Sequence, residues 1–266
     1  MHTEPVEHMK SRYTILLTND DSYVAPGIKH LYDVLKEHHD VVVVAPQEEQ
    51  SGIGHAFTFN KPLSYACIPQ SAGLPGYMVA GTPSDCVKFA ISFILKHKPD
   101  IVISGINSGE NSGISGFYSG TVAAAREGAF WRIPSFAFSI SGGDTEHYIG
   151  YAGMALDVLD KVMATTQPEA GEHQVYYNVN FPLCLPAACK GIRVTKQSLA
   201  FFDDRYKRVE SNDDRENYII YGEKKDVEDS DSFDSRALIN NYTTITPLSY
   251  DATAHWSISG LSSLER

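Results

Sequence analysis

Two hydrophobic rhythms alternate along most of the chain. Residues 13–18 (YTILLT) form a short apolar run closed by Asn19-Asp20-Asp21, and from residue 26 to 38 the apolar Ile28, Leu31, Tyr32 and Leu35 return at helical spacing. The pattern predicts strand, loop, helix. Residues 41–44 are four valines, too short for a helix and too uniformly apolar for a half-exposed strand, so they predict a strand buried inside a parallel sheet and ended by Ala45-Pro46. Thr82-Pro83-Ser84-Asp85 predicts a helix start: a hydroxyl N-cap, a ring without an N–H at the first helical position, and a carboxylate near the positive end of the dipole. That helix is expected to run to about His97. Residues 100–104 (DIVIS) predict a third strand, which breaks into a glycine-rich loop over 105–120 before a helix carrying Val122, Ala125 and Ala129. A fourth strand at 135–139, a helix over 150–164, and strands at 175–180 and 192–196 follow.

Strands alternating with helices at this spacing predict an α/β fold: a Rossmann-like, doubly wound, mostly parallel sheet with helices on both faces. Past residue 200 the rhythm weakens. The charge-dense stretch 203–234 reads as solvated surface, and 218–221 and 242–246 read as strands of a C-terminal β-hairpin or arm. The chain thus divides into an N-terminal extension (1–12), a Rossmann-like catalytic domain (13–200), and a C-terminal arm and hairpin (201–266) used in oligomerisation.

Composition narrows the partners. A formal net charge of -11 over 266 residues repels phosphate backbones, which argues against nucleic acid polymers and anionic membrane surfaces. An anionic substrate must then meet positive potential supplied locally, by a cation, a helix N-terminus or a nest of backbone N–H groups. No run approaches the roughly 18 apolar residues of a membrane span, and residues 1–10 are polar with no apolar signal core. Cys67, Cys86, Cys184 and Cys189 show no CxxC spacing, which suits reduced thiols in a cytoplasmic protein.

In open parallel sheets ligands bind beyond the carboxyl ends of the strands. There this sequence concentrates polar residues: Asn19-Asp20-Asp21 after the first strand, Gln50-Ser51-Gly52 after the second, and Gly105-Ile106-Asn107 running on to Asn111 after the third. Adjacent carboxylates in a crevice repel each other, and a divalent cation is the usual remedy. Asp20 and Asp21 alone are better explained as loop or cap residues; it is together with Ser51 and Asn107 that they make four oxygen donors suited to magnesium, manganese or calcium. The stretch 107–121 (NSGENSGISGFYSGT) suits a phosphate cradle. Its glycines allow close backbone approach, and Ser119-Gly120-Thr121 stands where the next helix begins, although a flexible loop with Ser119 as an ordinary N-cap has the same pattern.

Other features carry less. Arg126 and Glu127 read as a surface pair, and His55 as a structural histidine. Gly52-Ile53-Gly54 lacks the third glycine of a dinucleotide fingerprint. No GxxxxGK[ST], HExxH or GxSxG motif occurs, so nucleoside triphosphate hydrolysis, zinc proteolysis and serine hydrolysis lose support.

Residues 14–28 (TILLTNDDSYVAPGI), 44–58 (VAPQEEQSGIGHAFT), 81–86 (GTPSDC) and 99–128 (PDIVISGINSGENSGISGFYSGTVAAAREG) resemble, in order, the hallmark blocks of the survival protein E (SurE) family of nucleotidases. The match is close in the first half of the chain and looser in the second, where 178–182 (NVNFP) and 245–254 (ITPLSYDATA) carry it. The resemblance implies hydrolysis of nucleoside 5′- and 3′-monophosphates with one divalent cation per subunit (Mg2+, Mn2+ or Ca2+), on a Rossmann-like fold whose C-terminal arm exchanges between subunits of a homodimer or homotetramer. It implies metal ligands at Asp20, Asp21, Ser51 and Asn107, with Asp20, Asp21 and Asn107 catalytic, and phosphate contacts at Asn111, Ser119, Gly120 and Thr121. Ser22 departs from the family's usual glycine, which would strain the backbone if φ is positive there. Residues 199–236 match poorly. The readings from other classes are a non-catalytic nucleotide-binding or sensor protein, told apart by absence of phosphate release, and a nucleotide-sugar transferase, which needs a sugar-nucleotide donor.

Overall fold

The structure, a computed structural model, describes residues 12–166, 175–210 and 215–264. The N-terminal extension lies, Arg12 apart, outside them. The first apolar run forms β1 (Thr14–Thr18). Pro26, with no N–H to leave unpaired, opens α1 (Pro26–His38), which buries Ile28, Leu31 and Leu35. β2 (Asp40–Pro46) follows, then two short strands that the hydrophobic pattern did not predict, β3 (Tyr65–Cys67) and β4 (Gly76–Val79). β3 is an edge strand whose three residues are all exposed, so no apolar run marks it.

The helix start at Thr82 has the expected chemistry. Asp85 N–H donates to Thr82 Oγ1 (3.1 Å) and Thr82 N–H donates to Asp85 Oδ2 (2.9 Å), a reciprocal cap on α2 (Pro83–Phe89). The helix does not reach His97: it passes into a π-helical turn over Ala90–Ile94, and the backbone is extended at Leu95. β5 (Ile101–Ser108) is longer than predicted, because after a shift in register past Ser104 the ladder resumes with Asn107 opposite Ser139 and Ser108 opposite Ile140. After α3 (Ser115–Tyr118), α4 (Gly120–Phe130) and β6 (Ser135–Ile140), the helix α5 (Thr145–Thr165) starts before residue 150 because Asp144 caps it, accepting from the N–H of Glu146 (3.1 Å). The remaining elements are β7 (Val175–Phe181), β8 (Ile192–Val194), β9 (Phe201–Phe202), β10 (Arg205–Val209), β11 (Asn217–Tyr221), β12 (Lys224–Lys225), α6 (Asp234–Ile239), β13 (Thr243–Ser249) and α7 (His255–Leu261).

Nine strands make one sheet in the order β3-β4-β2-β1-β5-β6-β7-β13-β8. From β4 to β7 all neighbours are parallel, while β3 and β13 run antiparallel to β4 and β7. Alternate residues separate the two faces. Ile15, Leu17, Val43, Ile101, Ile103, Phe136 and Phe138 pack under α1 and α5, whereas Leu16, Val44 and Val102 pack against α2 and α4. Each such side chain is fully buried and contributes about 1.5–3 kcal/mol. The sheet is doubly wound and mostly parallel, as the alternating pattern implies.

One strand reading changes. Of residues 242–246, expected in the arm, Thr243 to Thr246 lie inside the sheet: β13 pairs with β7 from Thr244 opposite Asn180 to Ser249 opposite Val175, and with β8 at Thr243 opposite Ile192. Its first four residues are buried, which β-branched Thr243, Thr244, Ile245 and Thr246 suit. The hairpin that does leave the sheet is β10 with β11, Arg205 opposite Tyr221 through Val209 opposite Asn217, and the β9–β12 pair forms its base.

Candidate functional site

The strand order reverses at β1: β2 and β4 lie on one side of it, β5, β6 and β7 on the other. Connections therefore leave β1 and β5 in opposite directions, and a crevice opens at their carboxyl ends. The two strands are level, Thr18 beside Ser104, so the residues that follow each, Asp20-Asp21 and Asn107, arrive at the same edge. A cavity of about 300 Å³ lies there, and Asp20, Ser51, Asn107, Asn111 and Ser119 line it. Residues from three strand ends and one helix start thus meet in one place.

Asp20 is 4% exposed. Burial raises its pKa, and hydrogen bonds from Thr121 oppose that rise. Burial also lifts Asp21, to about 6, with Asp20 and Glu49 adding like-charge repulsion, although Ser108 N–H donates to its Oδ2 (3.0 Å). The charges acting on the pair are thus carboxylates. The two neutral side chains each spend a hydrogen within the loops and present an oxygen. Asn107 donates Nδ2 to Gly109 O (2.7 Å), leaving the amide oxygen, and Ser51 donates Oγ to Glu49 Oε1 (2.7 Å), leaving the hydroxyl lone pairs. Two desolvated carboxylates, an amide oxygen and a hydroxyl oxygen are the donor set of a hard cation, so these residues fit the divalent ion that the sequence implies.

The opposite wall of the cavity is built from α4. Ser119 caps it, accepting from Val122 N–H (3.1 Å), so the helix begins at the cavity wall with its dipole directed there. Gly120 allows the approach: a Cβ at that position would lie 2.9 Å from Asp20 Cβ and 3.1 Å from its Oδ2. Thr121 is fully buried, and its hydroxyl goes to Asp20 Oδ1. Asn111 is fixed on three sides, its N–H on Asn180 Oδ1 (2.7 Å), its Nδ2 on Ser139 Oγ (2.8 Å), and its carbonyl accepting from Asn178 Nδ2 (2.9 Å). A larger cavity of about 490 Å³ lies beyond Glu110 and Lys224; there Glu110 pairs with Lys224, while Asp226 faces Arg236 at 3.5 Å in an ion pair without a hydrogen bond.

The family model for survival protein SurE matches residues 15–204. The chain belongs to the SurE family. The 5′-nucleotidase SurE of Flavobacterium psychrophilum is 38% identical over 257 residues, covering 94% of this chain and 97% of that protein. That of Caldanaerobacter subterraneus subsp. tengcongensis is 37% identical over 252 residues, covering 94% and 96%. The crystal structure of the SurE protein from Aquifex aeolicus superimposes with a TM-score of 0.81 at 37% identity, over 95% of this chain and all of that one.

Several contributors to this SurE site carry no strong sequence signal. Glu49, two residues before Ser51, orients that hydroxyl, and its only mark is the acidic pair in the QEEQSG loop. Asn178 and Asn180 stand on one face of β7 in an otherwise apolar strand, and two buried amides in such a run call for partners, which Asn111 provides. Glu127 is not at the surface. It is 1% exposed and meets His55 Nε2 (3.0 Å), Lys88 Nζ (2.9 Å) and Trp131 Nε1 (3.0 Å), while Arg126 donates to the Tyr176 hydroxyl (3.0 Å). His55 thereby ties the loop bearing Ser51 to α4.

Proposed function

We propose that this chain is a nucleotidase, a phosphoric monoester hydrolase that converts nucleoside 5′- and 3′-monophosphates to nucleoside and phosphate with the help of one divalent cation. The observation that carries this reading is the pair of desolvated carboxylates, Asp20 and Asp21, set beside the N-terminus of α4 with carboxylates as their charged neighbours. The names of the relatives support the same substrate class.

Asp20, Asp21, Ser51 and Asn107 would hold the cation. Bound, it supplies Lewis-acid polarisation of the phosphoryl group and of water. The chain's own residues do the rest. The α4 N-terminus and the Asn111 and Ser119 side chains receive the phosphoryl oxygens and fix the ester for in-line displacement. Asp20 or Asp21 would orient the attacking water and take its proton as the new P–O bond forms, while the P–O bond to ribose breaks on the opposite side and the departing oxygen takes a proton from solvent. The exposed Tyr206, Ile219, Ile220 and Tyr221 of the hairpin support an arm that joins copies of the chain into a homodimer or homotetramer. Four free cysteines support a cytoplasmic setting, and no helix among the described residues is long and apolar enough to cross a membrane.

The test is phosphate release from a panel of nucleoside monophosphates after chelation, with Mg2+, Mn2+ or Ca2+ added back singly. Release should vanish on chelation and return with at least one ion, and Asp20→Ala should abolish it in a folded protein. Full turnover by Asp20→Ala, or by the chelated wild type, would overturn the reading.

A further inference from the structure

The polar wall of the cavity accounts for a cation and a phosphate, and two aromatic residues remain: Tyr118 and Phe202. Tyr118 is 65% exposed and Phe202 48%. Each thus keeps apolar surface uncovered at the mouth of the cavity. Tyr118 directly precedes the α4 cap, and its carbonyl accepts from Gly54 N–H (2.8 Å), which fixes it between the phosphate cradle and the Ser51 loop.

Phe202 comes from the stretch where the family resemblance is poorest, yet it is firmly held. Ile114 N–H donates to Ala200 O (2.9 Å) and Gln197 Nε2 to Gly113 O (2.8 Å), tying the approach to β9 onto the glycine-rich loop. Asp234 reaches both segments, accepting from Gly113 N–H (3.0 Å) and Ser198 N–H (2.9 Å). From the other side, Lys224 pairs with Phe202 in the β9–β12 ladder and sends its ammonium to Glu110 and to Ser112 Oγ (2.7 Å). Segments before and after the hairpin are thus anchored to the loop that carries Asn111, and Phe202 is delivered to the cavity by that anchoring.

We propose that Tyr118 and Phe202 form the platform for the nucleobase of the substrate. The inference rests on the nucleotidase reading and adds its specificity. An aromatic face stacks on any base, so the site accepts purine and pyrimidine nucleotides alike and favours both over a sugar phosphate that lacks the base. The cavity lies at the lower end of small-ligand sites, which suits a nucleotide whose base emerges against the rings rather than being enclosed.

The experiment compares kcat/KM for AMP, UMP and ribose 5-phosphate in the wild type, Phe202→Ala, Phe202→Trp and Tyr118→Ala, with folding checked by circular dichroism. Both alanine variants should lower the ratio of nucleotide to ribose 5-phosphate roughly ten- to hundredfold, mainly through KM, and Phe202→Trp should preserve it. An unchanged ratio in both alanine variants, or equal kcat/KM for the three substrates in the wild type, overturns the platform and leaves the nucleotidase standing. A wild type that frees no phosphate from any of the three overturns the nucleotidase reading and the platform with it.

Discussion

Thr121 donates its hydroxyl to Oδ1 of Asp20, a residue 101 positions earlier in the chain. The bond locks the first turn of α4 to the end of β1 and opposes the burial that would otherwise favour a neutral Asp20. Thr121→Val keeps the shape and deletes the donor. It should destabilise the protein by about 1–3 kcal/mol, the cost of an unsatisfied buried partner, and reduce phosphate release at least tenfold. Urea unfolding and a release assay check both; a variant matching the wild type in each would show that the bond carries neither load.

Buried carboxylates repelled by each other and by Glu49 should weaken the metal-free protein. Adding Mg2+ or Mn2+ at about one hundred times Kd should raise the wild-type melting temperature by roughly 5 °C or more. Asp20→Asn removes the buried charge and keeps an acceptor for Thr121, so without metal it should melt above the metal-free wild type and respond little to the ion. Calorimetry with and without chelator distinguishes these outcomes, and a full metal response from Asp20→Asn would remove Asp20 from the ligand set.

Ser22 adopts φ 75°, a left-handed backbone that favours glycine, and it is buried beside the carboxylates. Its hydroxyl recovers little, accepting from Val24 N–H at 3.4 Å. Ser22→Gly should therefore stabilise the protein by about 0.5–1 kcal/mol in chemical denaturation. A loss of more than that amount would mean the serine makes contacts that outweigh its strain.

Glu127 ties acid stability to the Ser51 loop. Burial pushes its pKa up, but His55, Lys88 and Trp131 outweigh that and hold it below the ordinary 4.5. A depressed carboxylate contributes stability above its unfolded pKa and loses it as pH falls through the lower folded value. Glu127→Gln should thus cost about 1–3 kcal/mol at pH 7, and the gap to the wild type should close below about pH 4.5. Parallel urea titrations at pH 7 and pH 3.5 measure it; a gap independent of pH would assign the effect to packing.

The elements legible in the sequence are those whose signals are local. Leu16 and Ile28 lie in runs whose period alone gives strand and helix, and Thr82 with Asp85 is a complete start signal within four residues. The strand-end residues Asp20 and Asn107 were readable as one edge because parallel sheets place their loops there. What was hidden depends on distant partners. Glu127 looks like a surface charge until His55 and Lys88 are brought to it, β3 is too short and exposed to mark itself, and Phe202 reaches the cavity only because Asp234 and Lys224 hold its flanks to the glycine loop. The placement of β13 follows from pairing with β7 and β8, which no property of residues 243–249 alone specifies.

That placement has a consequence for how the molecule is made. Every cavity side chain from Asp20 to Ser119 has left the ribosome long before β13 is translated, yet β7 keeps an open flank, and β8 has no neighbour in the sheet, until residue 249 emerges. The nascent chain carries its chemistry early and closes late, and over that interval its bare strand edge is the point at which a chaperone protects it or another unfinished chain captures it.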